Sequence, residues 1–346
     1  MMPRESHRLT WGLLGASTIA KTSVGPAFTR SPSVDLRAVA SRDAVRATVL
    51  ARTLGASRAY GRYLELMQDS EIDAVYISLP NAQHHEWVLS ALRHGKHVLC
   101  EKPLALSPDE AQEMATVAAS QGRYLMEAFM YRFHPRIERA RTLVHGGSLG
   151  RIQYARARFT GRLSDRFDPT NYRFGSVAEG GGALYDIGCY CVDALSWFLG
   201  GKVRGLSSWL DLQPTRADAR AAALLEFESR AIGQFFCAID IPGGSDFEVV
   251  GDEGVLTLPI AFEAGPNEAT LPLQIRSPAS IVTEQFESFD PYVGEIEAFS
   301  RAVLTGAPCP IDVADSIRNA ALLDAIRNAS QKGWTTVRPH MEGPRQ

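Results

Sequence analysis

The chain has 346 residues, of which 45% are hydrophobic and 22% are charged. This length and balance exclude a disordered or fibrous protein and predict two folded domains of roughly 100–200 residues each, with room for a cleft between them. The net charge of −3 comes from 36 basic and 39 acidic residues without a run of like charge, so it favours neither nucleic acid nor a membrane as a partner, and we expect a small-molecule ligand.

The amino terminus and the cysteines predict a cytoplasmic protein. The first apolar stretch is short and runs directly into a glycine turn, so it lacks the apolar region and cleavage site of a secretory signal. No later segment reaches about 18 consecutive apolar residues, the length of a membrane-spanning helix. The five cysteines include no C-x-x-C pair, and His84-His85-Glu86 are neighbours that do not face one another on a helix, so we expect reduced thiols and no metal site.

Residues 9 to about 129 alternate short apolar strands with helical segments. The predicted strands are LTWGLLG, VDLRAVAS, DAVYISL, KHVLC and YLMEAF. Strands that alternate with helices predict right-handed βαβ units and a doubly wound parallel sheet of the Rossmann type, as in α/β proteins. We assign residues 1–129 to this domain.

The second half has longer segments of alternating polarity, which predict an antiparallel sheet. Two hairpins are expected, with turns at Ser229-Arg230 and at Asp252-Glu253-Gly254, and two helices around Val293–Leu304 and Val313–Ser330 end the pattern. We assign residues 130–346 to an α+β domain with a large, mainly antiparallel, open-faced sheet. An apolar sheet face without a covering helix predicts a homodimer or homotetramer.

A glycine turn follows the first strand and opens a helix. Gly15, Ser17, Thr18 and Ile19 lie where the pyrophosphate of a dinucleotide meets a helix N-terminus. Ser17 occupies the second glycine position of the G-x-G-x-x-G fingerprint, where a serine is small enough to fit and its hydroxyl could donate to phosphate. Such a turn is also often merely structural, so by itself it leaves the ligand open.

The end of the second strand indicates which dinucleotide binds. An acidic residue there would accept the 2′-hydroxyl of NAD, but this strand ends in Ser41-Arg42. The permanently charged guanidinium of Arg42 suits the 2′-phosphate, whereas Asp43 is expected to cap the next helix. The pattern predicts NADP(H) in preference to NAD(H), with a solvated loop arginine as the alternative.

Three sequence segments carry a family resemblance: LPNAQH at 79–84, ALRHGKHVLCEKP at 91–103 and GGGALYDIGCY at 180–190. Together they resemble the glucose-fructose oxidoreductase and inositol dehydrogenase family, called Gfo/Idh/MocA. The opening WGLLGASTIA is similar to 1,5-anhydro-D-fructose reductases, which are NADPH-dependent members. The segments LMEAF and DIGCYC look most like the glucose-fructose oxidoreductase and dimeric dihydrodiol dehydrogenase branch.

The resemblance implies which residues line the nicotinamide end of the cofactor. Lys102 of the Glu-Lys-Pro segment would lie beside the nicotinamide and the substrate hydroxyl, where an ammonium stabilises developing negative charge. Glu101 would hold the nicotinamide ribose or Lys102. The remaining expected cofactor contacts are Leu79, Pro80, Asn81 and His84.

The resemblance also implies the proton-transfer residues. Asp186 and Tyr190 are four residues apart, which places both on one face of a helix. Tyr190 replaces the histidine of inositol-type members and would pass the proton, because the neighbouring Lys102 favours its phenolate. Asp186 would orient a substrate hydroxyl. A core aromatic is the alternative interpretation of Tyr190.

Arg132 and Tyr172 complete the expected substrate site, beside Lys102, Asp186 and Tyr190. The segment 171–173 resembles the Asn-Trp-Arg segment of sugar dehydrogenases, while Arg132 could equally form an interdomain salt bridge. The resulting prediction is an NADP(H)-dependent oxidoreductase that transfers a hydride between nicotinamide and a sugar or polyol carbon. Two alternatives stay open: the same chemistry on a trans-dihydrodiol, which an apolar cleft would favour, and a catalytically silent NADP-binding sensor.

Overall fold

A six-stranded parallel sheet forms the first half of the protein. The computed structural model describes residues 8–215, 217–263 and 270–331. The strands are β1 (Leu9–Leu14), β2 (Val34–Ala40), β3 (Arg58–Tyr60), β4 (Ala74–Ile77), β5 (His97–Glu101) and β6 (Leu125–Ala128). Their order is β3-β2-β1-β4-β5-β6, and all neighbours are parallel. This confirms the predicted doubly wound sheet, to which the structure adds the short edge strand β3.

Helices connect these strands and cover both faces of the sheet, which explains why its central strands are apolar along their whole length. The helices are α1 (Gly25–Arg30), α2 (Ala44–Leu54), α3 (Tyr63–Gln68), α4 (His84–Arg93) and α5 (Pro108–Ser120). A π-helical turn, Ala20–Val24, precedes α1. As expected, the Asp43 carboxylate caps α2 by accepting the backbone N–H groups of Val45 and Arg46.

The second half contains an eight-stranded sheet in the order β14-β13-β12-β11-β7-β10-β9-β8. Its strands are β7 (Ile152–Thr160), β8 (Val203–Leu212), β9 (Asp218–Phe227), β10 (Ile232–Ala238), β11 (Ser245–Gly251), β12 (Val255–Pro259), β13 (Thr270–Arg276) and β14 (Ile281–Glu287). All neighbouring strands are antiparallel except β7 and β10. Both predicted hairpins, β9–β10 and β11–β12, are confirmed, whereas β13 and β14 had no counterpart in the sequence prediction.

Four further helices are α6 (Pro135–His145), α7 (Cys189–Leu199), α8 (Pro291–Thr305) and α9 (Val313–Ser330). Helices α6, α7 and α9 pack on one face of the large sheet. The alternation along β9 is regular: Ala221, Ala223 and Leu225 are buried, while Leu224 points outward and is 50% exposed. No helix in the described part of the chain is long and apolar enough to cross a membrane.

Helix α8 joins the two halves through the first strand. The indole Nε1–H of Trp11 on β1 donates to the Ser300 hydroxyl on α8 at 3.2 Å, and the Trp11 ring packs against Phe28 and Phe299. All four side chains are almost completely buried. This contact fixes α8 close to the turn that follows β1.

Candidate active site

The glycine turn lies at the carboxyl ends of β1 and β4, where the strand order of the parallel sheet reverses and where such sheets bind their ligands. Gly15 has a φ of +97° and its N–H donates to the Ala40 carbonyl at 2.9 Å. A Cβ at this position would lie 2.9 Å from both the carbonyl and the hydroxyl oxygen of Ser78. Only glycine fits here, because both the backbone conformation and the space exclude a side chain.

A helix begins immediately after this turn. The Ser17 hydroxyl oxygen accepts the Ala20 N–H at 3.2 Å, so it caps the first turn and keeps its own hydrogen available as a donor. Thr18 is exposed and Ile19 half-buried. The first N–H groups of a helix have no acceptor within it, so this end offers donors and a positive dipole to an anion.

Two arginines lie near the start of α2, and one of them contacts the glycine turn. Arg42 is exposed just after β2, while the neighbouring Ser41 is buried and its hydroxyl accepts the Asp43 N–H at 3.3 Å. Arg46, in the first turn of α2, donates from Nη2 to the Ala16 carbonyl at 2.6 Å. The sequence prediction missed Arg46, which lies on α2 four residues after Arg42.

The segment after β4 connects the two halves. The Asn81 amide donates to the Gly180 carbonyl at 2.8 Å, and its oxygen lies 3.4 Å from the Tyr172 hydroxyl. Leu79 is buried and Pro80 is half-buried beside it. The glycine block that was expected to carry substrate residues is therefore held directly against the expected cofactor segment.

His84 contacts both loops that surround the cofactor end of the sheet. Its Nδ1 lies 2.8 Å from the Pro103 carbonyl and its Nε2 lies 3.0 Å from the Leu79 carbonyl. Burial lowers the pKa of His84, against the opposing effect of the two carbonyls. The imidazole is completely buried. It therefore joins the two loops, and the cofactor contact expected from the sequence stays a prediction.

Lys102 lies at the centre of the candidate site. Its ammonium donates to the Asp186 carbonyl at 2.5 Å, stands 3.5 Å from the Asp186 carboxylate and lies 5.0 Å from the centroid of the Tyr190 ring. Burial acts to lower the pKa of Lys102, but the nearby charges, led by Asp186, outweigh it and raise the pKa above its usual value. Lys102 therefore carries its proton at neutral pH.

Asp186 receives two cations. Arg173 donates from Nε to Asp186 Oδ1 at 2.9 Å and stacks on the rings of Phe167 and Tyr172. Burial would raise the pKa of Asp186, but Arg173 and Lys102 together lower it, so the carboxylate is ionised. Asp186 belongs to a π-helical turn, Leu184–Gly188, that precedes α7. Arg173 was outside the predicted site residues, although it belongs to the Asn-Tyr-Arg segment that indicated Tyr172.

Tyr190 lies in an aromatic cluster with Phe129, Tyr131, Phe159 and Phe262. Its hydroxyl lies 3.7 Å from the sulfur of Met130. Burial raises the pKa of Tyr190 well above 10, and neighbouring acidic groups add to this effect. This corrects the expectation of a favoured phenolate: Lys102 sits over the face of the ring, and the phenol is neutral.

Glu101 precedes Lys102 in the chain and has a hydrogen-bond partner of its own. The Tyr76 hydroxyl donates to its Oε1 at 2.7 Å, and burial raises the pKa of Glu101 while Lys102 opposes the rise.

Glu295 on α8 is completely buried, and neither of its carboxylate oxygens has a hydrogen-bond partner among the described residues. Burial and the charge of Glu101 raise the pKa of Glu295 well above its usual value, so it is a neutral acid.

Arg132 forms ion pairs with two other elements of the second half, and its substrate contact stays a prediction. It forms a buried ion pair with Asp193 on α7 and a second one with Asp315 on α9 at 2.9 Å, and it stacks on Trp197. The sequence had left an interdomain salt bridge as the alternative, but both partners lie with Arg132 in the predicted domain 130–346, so these ion pairs are formed within it. Among the described residues, no group of three or more His, Cys, Asp or Glu side chains could hold a metal ion.

Two family models match the chain. One, described as oxidoreductase family, NAD-binding Rossmann fold, matches residues 9–129, and the other, described as GFO/IDH/MocA C-terminal domain, matches residues 137–257. The chain belongs to the Gfo/Idh/MocA family. The two matched ranges contain Lys102 on one side and Asp186 and Tyr190 on the other, so this Gfo/Idh/MocA protein builds its candidate site from both.

Several members of the family are similar over most of their length. D-xylose 1-dehydrogenase (NADP(+)) 2 of Haloferax volcanii is 38% identical over 94% of this chain and 98% of its own. Trans-1,2-dihydrobenzene-1,2-diol dehydrogenase of Macaca fuscata fuscata is 34% identical over 72% of this chain and 74% of its own. The crystal structure of KijD10, a 3-ketoreductase from Actinomadura kijaniata in complex with NADP and TDP-benzene, superposes with a TM-score of 0.86 at 30% identity, covering 93% of this chain and 98% of that chain.

Proposed function

We propose that this protein is an NADP(H)-dependent oxidoreductase that transfers a hydride between nicotinamide and a CH–OH carbon of a sugar or polyol. One observation carries the proposal. The Lys102 ammonium, at the carboxyl end of β5, contacts Asp186 and the Tyr190 ring from the other half of the protein. A proton-bearing group is thus placed at the crevice where doubly wound sheets bind dinucleotides.

Three features support NADP(H) as the cofactor. Gly15 allows the tight turn that brings the helix start to the crevice, and Ser17 keeps a hydroxyl hydrogen free to donate to a pyrophosphate. Arg42 and Arg46 supply two cations beside the end of β2, where a 2′-phosphate requires positive charge. The similar D-xylose dehydrogenase is named for NADP(+), and the crystal structure of KijD10 contains NADP. When bound, the cofactor supplies or accepts the hydride.

Lys102 and Tyr190 handle the proton in this proposal. Both groups have raised pKa values and so hold their protons at neutral pH. A substrate carbonyl that accepts a hydride develops negative charge on its oxygen, which the Lys102 ammonium stabilises while Tyr190 gives its proton to that oxygen. The protonated resting state favours carbonyl reduction, and oxidation of an alcohol requires one of the two groups to lose its proton first.

The polar residues next to Lys102 support a hydroxyl-rich substrate. Asp186 is an ionised acceptor, Arg173 a donor, and the Tyr172 hydroxyl lies beside Asn81. Buried polar groups of this kind need hydrogen-bond partners, which the hydroxyls of a sugar provide. We therefore assign Asp186, Arg173 and Tyr172 to the orientation of the substrate.

The aromatic cluster around Tyr190 favours a second candidate substrate. Phe129, Phe159 and Phe262 place three apolar rings within 6 Å of the Tyr190 ring, measured between centroids. A trans-dihydrodiol has an apolar ring and two hydroxyls. Its ring would pack against the phenylalanines, and its hydroxyls would bond to Asp186 and Arg173. The chemistry and the roles of Lys102 and Tyr190 would be unchanged.

The test is a spectrophotometric screen that follows NADPH formation or consumption with aldoses, ketoses, inositols and dihydrodiols. We expect one class to give turnover, with NADP(H) preferred over NAD(H). A dihydrodiol as the only active class would select the second candidate. If no alcohol or carbonyl compound gave turnover while NADPH still bound, the protein would be a silent NADP-binding sensor and the proposal would be wrong.

We also propose that the open face of the large sheet forms a homodimer or homotetramer. On β8–β10, the side chains that alternate with the buried ones include Trp209, Ala222, Leu224 and Phe236, which form an apolar surface across three neighbouring strands. Helix α9 packs on the opposite face of β8, where the Ser208 hydroxyl donates to the Ile326 carbonyl. Burial of such a surface against a second copy is favourable. A monomer in sedimentation velocity at micromolar concentration would refute this proposal.

A further inference from the structure

A cleft with a volume of about 320 Å³ lies at the amino-terminal end of the parallel sheet, opposite to the glycine turn. It is lined in part by Asp73, just before β4, by Lys96 and His97 at the start of β5, and by Arg123, just before β6. Because all these strands are parallel, this end of the sheet is remote from Lys102. Nothing in the proposed reaction uses these residues.

The tautomer of His97 follows from its backbone contact. The N–H of Tyr124 donates to Nδ1 of His97 at 3.0 Å, so Nδ1 carries the lone pair. Burial, assisted by the charge of Arg123, lowers the pKa of His97 to about 4, so the imidazole is neutral at pH 7. A neutral imidazole has one protonated nitrogen, which here must be Nε2. Nε2 is therefore a hydrogen-bond donor.

This tautomer leaves two donors facing each other. Nη1 of Arg123 lies 3.4 Å from Nε2 of His97, and a guanidinium nitrogen can only donate. Two N–H groups at this distance cannot bond to each other, and because Arg123 is exposed, each takes an acceptor from the cleft. That acceptor is water or a ligand that displaces it, and the pair presents two donors to such a ligand.

Lys96 adds a further donor at the same place. Its ammonium donates to the carbonyls of Asp69 at 2.6 Å and Ile72 at 2.7 Å, which uses two of its three hydrogens. Lys96 and Arg123 contribute two positive charges to the lining. Asp73 contributes one negative charge, and its carboxylate accepts the Thr10 N–H at 3.0 Å. The charge of Asp69 also acts on Lys96, but Asp69 is itself paired with Arg58 at 2.6 Å. With His97 neutral, the lining keeps one net positive charge, which favours an anion that displaces water.

We propose that this cleft binds a small oxyanion, the phosphate or carboxylate group of a metabolite, between His97, Arg123 and Lys96. The oxygens of such a group accept from Nε2 of His97 and from the guanidinium of Arg123 at once, and a planar guanidinium can hold an oxyanion through two bonds. The ligand binds at the amino-terminal end of the parallel sheet, separately from the cofactor and the substrate.

The test measures the thermal unfolding midpoint of the full chain against the concentration of inorganic phosphate, at constant ionic strength. Saturating NADPH keeps phosphate away from the glycine turn, and the comparison of variants identifies the cleft even if NADPH does not bind. Sodium acetate in a parallel titration distinguishes a carboxylate ligand from a phosphate ligand. The apparent Kd follows from the rise of the midpoint with ligand concentration.

Two variants and one control identify the residues. Arg123→Gln removes the guanidinium, and His97→Asn removes the Nε2 donor while its Oδ1 can still accept the Tyr124 N–H. Arg93→Gln is the matched control because it removes an exposed arginine, paired with Glu113 at 3.8 Å, from the neighbouring end of α4. We expect the apparent Kd to rise at least tenfold in both cleft variants and to stay within twofold of the wild type in the control.

Equal responses of all four proteins, or no rise of the midpoint in the wild type up to 50 mM of either anion, would overturn the proposal. If a cleft variant did not fold, nitrogen-15 NMR of the wild type would still decide. Binding must shift the Nε2 signal of His97, and an unchanged signal at saturating anion would refute the assignment.

Discussion

Glu127 provides a prediction whose magnitude can be worked out from the structure. It lies on β6 beside β5, is 2% exposed, and its Oε1 accepts the N–H of Leu104 at 2.8 Å. Leu104 follows the Lys102-Pro103 segment, so the carboxyl holds the backbone next to the proposed catalytic lysine. Burial raises the pKa of Glu127 from 4.5 to about 8.

This raised pKa makes folding stability depend on pH. Because the folded protein holds the proton up to a higher pH than the unfolded chain, the contribution of Glu127 is complete below pH 4.5 and is lost as the pH rises to about 8. The total loss is about 5 kcal/mol, and about 4 kcal/mol of it falls between pH 5 and pH 8.5. Glu127→Gln removes the titration and keeps an oxygen that can accept the Leu104 N–H.

The assay is urea unfolding of the wild type and Glu127→Gln at pH 5 and at pH 8.5. The free energy of unfolding of the variant, relative to the wild type, should rise by about 4 kcal/mol between the two pH values. Glu110→Gln is the matched control, since Glu110 also accepts a backbone N–H, that of Leu106 at 3.0 Å, but from a half-buried position. A difference between Glu127→Gln and the wild type that stays constant with pH would refute the reasoning.

Four further predictions concern catalysis, cofactor choice and packing. Lys102→Met should lower kcat/KM at least 100-fold with little change in the Kd of NADPH, measured by fluorescence titration; unchanged turnover would exclude its role. Because the pKa values of Lys102 and Tyr190 are raised, the rate of carbonyl reduction should stay level through neutral pH while alcohol oxidation increases towards pH 10, and profiles that run the opposite way would contradict this. Arg42→Gln should reduce the preference for NADPH over NADH about tenfold in kcat/KM. An unaltered ratio would mean that residues other than Arg42 bind the 2′-phosphate. Arg132→Met should lower the free energy of unfolding by about 3–5 kcal/mol because it leaves the buried Asp193 carboxylate without its arginine. A loss below about 1 kcal/mol would show that the ion pair contributes little to stability.

Much of the fold could be predicted from the sequence, because burial leaves a clear pattern there. The central parallel strands are apolar along their whole length, and β9 and β10 alternate regularly between buried and outward residues. The strands that were missed are β3, β13 and β14. The first has only three residues, and most side chains of the edge strand β14 are exposed, so its polar residues give no apolar periodicity. Strand β13 does alternate, with Leu271 and Leu273 buried, but Pro272 interrupts the strand pattern. The domain boundary at residues 129/130 stays a prediction.

The sequence indicated some of the residues that lie together in the candidate site but not their electrostatics. The spacing of Asp186 and Tyr190 and the Glu-Lys-Pro segment indicated the residues that the structure brings together around Lys102. The pKa of Tyr190 was wrong in direction because it depends on burial by Phe129, Phe159 and Phe262, which come from distant parts of the chain. Sequence distance hides such contacts.

The contacts of Arg132 and His84 show the same limit of sequence-based prediction. Arg132 pairs with Asp193, 61 positions away, and His84 bonds the Pro103 carbonyl, 19 positions away. In both cases a local motif indicated the correct region, while the partner that determines the role became visible only in the folded chain. Arg173 was missed for the corresponding reason, because its importance comes from the carboxylate of Asp186.

The most direct test of the proposed function compares Tyr190→Phe with the wild type in NADPH-dependent reduction of the best carbonyl substrate, at a pH where both are stable. The variant keeps the ring that contacts Lys102 and the aromatic cluster and removes only the hydroxyl. We predict that kcat/KM falls at least 100-fold while the Kd of NADPH stays within twofold. Full turnover by Tyr190→Phe would contradict the assignment of the proton to Tyr190.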